Sequence, residues 1–126
     1  MAINENKDIE RWIESEESEP VLEPGLPIID PHHHLWDLRK LNELGFRQEV
    51  YLCEEISNDI AQSGHSIHKT VFAQCGAFYR ADGPEKMRCV GETDFANGVA
   101  AMSRSGLYGN TELCAGIFSS ADMRLG

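Results

Sequence analysis

The chain has 126 residues, of which 41% are hydrophobic and 25% charged, an ordinary balance for one soluble globular domain. Its net charge of −10 argues against nucleic acid or an anionic membrane surface as a partner, because both require a positive footprint. The opening residues carry neither a basic region nor an apolar core, and no run approaches the ~18 apolar residues of a membrane span, so a cytoplasmic protein is expected.

Residues 1–25 read as an acidic N-terminal arm, holding eight of the 21 acidic residues and two basic ones. Ile9, Trp12 and Ile13 fall at i, i+3, i+4 and predict one short amphipathic helix. Pro20, Pro24, Gly25 and Pro27 then mark an extended connector. A strand is predicted from Ile28 into the histidines of "IIDPHHHLWD" (28–37), followed by a polar loop over 38–50. Leu52, Ile56 and Ile60 recur every four residues and predict a helix that stops at Gly64.

Val71, Ala73 and Cys75 alternate with Thr70, Phe72 and Gln74, which predicts a second strand with Cys75 in the core. A helix follows over about 93–105, with Phe95, Val99 and Met102 as its buried face and Gly106 as its end. Glu92, Thr93 and Asp94 at its start read as cap and dipole residues. "LCAGIFS" predicts a third strand. Strand, helix, strand, helix, strand is the order of βαβ units on a parallel sheet, so the fold class is α/β, with strands apolar on both faces. The four cysteines show no zinc-finger spacing and read as reduced, mostly buried thiols.

The three consecutive histidines carry the chemistry. Successive side chains of a strand point to opposite faces, so His32 and His34 share one face and His33 takes the other. The pair sits at the carboxyl end of its strand, where open α/β sheets and β/α barrels keep their ligand sites, and two imidazoles at that spacing can lean onto one ion. His33 reads as a packed or solvated residue. Asp30 either orients an imidazole or caps the strand end. Trp36 either walls the site or packs under the loop, and Asp122, just beyond the third strand, is a mouth-lining candidate. No G-x-S-x-G elbow and no phosphate-binding glycine motif occurs.

"IIDPHHHLWD" resembles the first-strand D-x-H-x-H signature of the amidohydrolase superfamily. Within it, the sequence is similar to the branch of TIM-barrel metal-dependent hydrolases (amidohydrolase family 2) that includes sugar-lactonases. "SGHSIHKTVFAQCGAFYRADGPEKMRCVGETDFANGVAAMSRSGLYG" and "CAGIFSSADMRLG" resemble the second and third strand–helix blocks of that branch, so the likeness covers roughly residues 26–126. The resemblance implies a partial (β/α)8 barrel, with about the first three strands and their helices present. It implies a divalent cation, zinc first, held by His32 and His34. It also implies a metal-activated water that attacks a lactone, ester or amide of a small molecule.

The family's remaining groups, a histidine after the fifth strand and an aspartate after the eighth, have no counterpart here, and His65 and His68 lie at the wrong end of the second strand. A barrel takes about 250 residues. The expectation is therefore a truncated N-terminal portion, inactive alone, whose catalytic residues lie on later strands. The alternative is a non-catalytic product that acts, if at all, by pairing its open sheet edges with a partner or with itself.

Overall fold

The computed structural model describes residues 5–17, 19–39 and 48–125. Helix α1 (Glu5–Ser15) carries Ile9, Trp12 and Ile13, all exposed, Trp12 at 64%. An irregular stretch then turns at 23–26, where Leu26 N–H donates to the Glu23 carbonyl at 2.9 Å. Strand β1 (Pro27–His33) follows and runs into the histidines as the sequence predicts.

Strands β2 (Trp36–Asp37) and β3 (Val50–Tyr51) pair antiparallel and close the base of the loop expected over 38–50. Residues 40–47 of that loop lie outside the described residues. Trp36 stacks on Tyr51 with ring centroids 5.0 Å apart, a cross-strand aromatic pair that holds the two-residue ribbon together.

Helix α2 (Cys53–Ser63) starts where Glu55 reaches back to accept the Leu52 N–H at 2.8 Å, and it ends at Gly64 in the left-handed conformation. Strand β4 (Ser66–Ala73), helix α3 (Val90–Ser103) and strand β5 (Glu112–Phe118) complete the body. The sheet order is β1-β4-β5 with both pairings parallel, so the body is α/β and strand order follows chain order. Among the described residues no helix is long and apolar enough to cross a membrane.

The core lies where the sheet meets α2 and α3. Leu35, Phe72 and Leu113 are its large members, joined by Cys53 and Ile56 of α2 and by Ala96, Val99 and Ala100 of α3. Leu52 and Ile60 pack against it as their spacing predicts. The face of α3 differs from expectation. Val99 is buried and Phe95 half-buried, but Met102 is exposed, and the fully covered stripe runs Glu92, Ala96, Val99, Ala100, Ser103. Small alanines bring the helix axis close to the sheet, which a longer methionine at the interface would prevent.

Three further expectations are corrected. Helix α3 begins at Val90, three residues before the predicted start. Gly91 allows this, because a Cβ there would lie 2.7 Å from the Phe78 carbonyl oxygen and 2.8 Å from Arg80 N. Cys75 is exposed rather than core, since β4 has ended at Ala73. Strand β1 is not covered on both faces: Ile29 is 61% exposed, because only the side that meets the helices is packed.

Candidate functional site

The histidines meet at the carboxyl end of β1. The rings of His32 and His34 stand edge to face with centroids 4.8 Å apart, and their Nε2 atoms are 3.2 Å apart. The Nδ1 atom of His34 lies 2.8 Å from the backbone oxygen of Ala73, the last residue of β4. A carbonyl only accepts, so His34 carries its proton on Nδ1, and in the neutral ring Nε2 is left with a bare lone pair. That lone pair faces His32. Nitrogens on a tetrahedral zinc stand about 3.3–3.4 Å apart when each bond is ~2.0–2.1 Å, so the observed spacing suits two ligands of one ion. A ring N–H given to a backbone carbonyl is the usual support for a metal-ligating histidine.

His33 turns the other way, into the core. Its Nε2 is 2.8 Å from Thr70 Oγ1, and Thr70 Oγ1 also accepts the Cys114 N–H at 3.0 Å. Its ring stands edge-on to Phe72 at 5.9 Å. Burial lowers the pKa of His33 below the usual 6.5, which keeps the ring neutral. A register shift in the β1–β4 ladder between Asp30 and His33 marks the irregularity from which these rings diverge.

The neighbours expected around the pair are engaged locally. Asp30 Oδ1 accepts the backbone N–H of His32 at 3.0 Å, so it caps the strand end in this conformation. Trp36 donates its indole N–H to the Gln48 carbonyl at 2.8 Å and packs at the base of the loop. Asp122 follows β5 and forms a two-pronged pair with Arg124, at 2.7 and 2.8 Å, which holds its carboxyl below the usual carboxylate range. His65 and His68 lie at the opposite, amino end of β4, where Ser66 Oγ is 3.0 Å from His68 Nε2.

Glu92 has a place that local reading misses. Its carboxylate does not cap its own helix. It accepts the N–H groups of Cys75 at 3.0 Å, Gly76 at 3.0 Å and Ala77 at 3.2 Å, and lies 3.4 Å from the Cys75 thiol, while only 1% exposed. The sequence carries one signal for this: Glu92 falls on the stripe marked by Ala96, Val99 and Ala100, so it points at the sheet.

His32 and His34 thus fit half of a tetrahedral zinc set by spacing, donor type and backbone support. Among the described residues no group of three His, Cys, Asp or Glu side chains gathers to hold an ion. Comparisons of the chain with family models, with curated proteins and with solved structures return no match.

Proposed function

We propose that this chain is the N-terminal part of an amidohydrolase-type, metal-dependent hydrolase, in which His32 and His34 together hold a divalent cation, zinc first. The single observation that supports this is the pair itself: two Nε2 atoms 3.2 Å apart, one of them cleared of its proton by the Ala73 carbonyl. Three parallel strands in chain order, with the pair at the carboxyl end of the first, agree with the opening units of a (β/α)8 barrel. When bound, a divalent cation polarises a carbonyl and activates a water, which is the chemistry that opening a lactone, ester or amide requires.

This chain's own residues would bind and orient. His34 offers Nε2 without any change of proton position. His32 offers Nε2 once its proton sits on Nδ1. Asp30 holds the backbone amide of His32 in place. Groups that finish the coordination set and move protons on the substrate belong to later strands in this reading, so the 126-residue chain is expected to bind a cation and show no turnover.

The test is equilibrium dialysis of metal-freed protein against zinc, followed by elemental analysis. About one zinc per chain is expected, falling to background in His32→Ala and in His34→Ala. Zinc uptake unchanged by both substitutions contradicts the proposal. A second reading, association through open sheet edges, is favoured by the order β1-β4-β5, which leaves β1 and β5 as the outer strands. A defined oligomer with no zinc uptake supports that reading instead.

A further inference from the structure

The segment that leaves β4 joins three parts of the fold. Ala73 gives its carbonyl to His34, and Gln74 N–H donates to the Phe118 carbonyl of β5 at 2.9 Å. The Cys75 thiol reaches the Leu35 carbonyl at 3.4 Å, one residue past His34. The next three amides converge on Glu92. Gly76 makes the convergence possible: its φ of +83° belongs to the left-handed region, and it folds successive N–H groups into a concave cradle for an anion. In this protein the anion is built in, carried on the first turn of α3.

A fully buried carboxylate is costly unless every oxygen is matched by donors. Here Oε1 accepts from three amides, and Oε2 shares the Gly76 N–H with it. The cradle and the carboxylate therefore hold each other in one arrangement, two to four residues beyond the carbonyl that fixes the His34 ring. We infer that Glu92 is the positioning residue of the histidine pair: by clamping amides 75–77 it aims the Ala73 carbonyl at His34 Nδ1, and so keeps His34 Nε2 bare and turned toward His32. Its use for a cation rests on the function proposed above; its effect on the ring does not. The carboxylate touches neither substrate nor cation in this role. It acts through the backbone.

Glu92→Gln is the informative substitution. The carboxamide keeps the size of the side chain but removes the negative charge that the three amides hold, and it places an NH2 group at the Oε2 position, against the Gly76 N–H. Imidazole nitrogen resonances of 15N-labelled protein report which nitrogen of His34 carries the proton. In the native chain Nδ1 is expected as the protonated nitrogen. In Glu92→Gln the two neutral forms are expected to interconvert, and zinc affinity to fall about 10- to 100-fold. Val99→Ala serves as the control for a general loss of stability. It cuts the same core from the same helix, and the His34 proton is expected to stay on Nδ1 with zinc affinity unchanged.

A His34 ring unmoved in Glu92→Gln overturns the inference, as does an equal response in Val99→Ala. If Glu92→Gln does not fold, Gly76→Ala strains the cradle while keeping the carboxylate and is read the same way. Hydrogen exchange on the native chain adds a measurement that needs no variant: amides 75–77 are expected to be protected, and rapid exchange there contradicts the inference. Failure of the two ideas is separable. A ring that responds in a protein that never binds zinc sustains the positioning role and removes the hydrolase reading. Zinc bound equally by both proteins with an unmoved ring does the reverse.

Discussion

The Nδ1 atom of His34 and the backbone oxygen of Ala73, 39 residues apart in sequence, lie 2.8 Å from each other and tie the end of β1 to the end of β4. The contact sets both the ring's orientation and its proton. Its strength depends on the β1–β4 pairing, which Phe72 anchors from the core beside Ala73. Phe72→Ala empties the largest fully buried side chain and is expected to cost about 3–5 kcal/mol of folding stability. Urea unfolding followed by circular dichroism measures it; a loss below ~1 kcal/mol would mean that the sheet is not packed as described.

Gly91 brings the start of α3 against the segment leaving β4. A methyl group there meets backbone at Phe78 O and Arg80 N, as well as the Arg80 side chain at Cγ. Gly91→Ala is therefore expected to destabilise the fold by about 1–3 kcal/mol despite the better helix propensity of alanine. An unchanged or raised melting temperature would show that the helix does not approach so closely.

The pH dependence of stability has a definite sign on each side. His33 is buried as a neutral ring with its pKa lowered, chiefly by burial. The unfolded chain then binds a proton that the folded chain refuses, so this contribution is complete above the usual 6.5 and is lost as pH falls from there toward the lowered folded value. His33→Gln should flatten that acid limb, measured as the midpoint of urea unfolding between neutral and mildly acidic pH. A limb of the same steepness assigns it to other groups.

On the alkaline side burial pushes the thiols of Cys75 and Cys114 up, to about 11 and about 12. The unfolded thiols ionise near the usual 9.0, so stability is expected to decline as pH rises from there toward those folded values. The same shift keeps Cys75 slow toward iodoacetamide near pH 8 although its residue is exposed. Alkylation of Cys75 at the rate of the unfolded chain would contradict this.

The order of strands and helices was legible because each element carries its own period: Leu52, Ile56 and Ile60 on α2, the alternation through Thr70–Phe72 on β4, the histidines at the end of β1. The sharing of a face by His32 and His34 follows from strand geometry alone and is observed. What escaped depended on contacts distant in sequence. Glu92 beside Thr93 and Asp94 looks like a local cap, and only the packing of α3 against the β4 exit shows that three amides claim its carboxylate. Met102 fits an apolar stripe as well as Ala96 does, but the close helix–sheet approach selects the smaller side chain. The β2–β3 ribbon is two residues long on each side, too short to show a period.

The proposal that His32 and His34 share one cation is tested most directly by X-ray absorption at the zinc edge of the zinc-loaded chain. Two imidazoles with zinc–nitrogen distances of about 2.0–2.1 Å are expected, with the remaining positions filled by oxygen. Sulfur scattering at about 2.3 Å, or a shell without imidazole, would place the ion elsewhere and contradict the account.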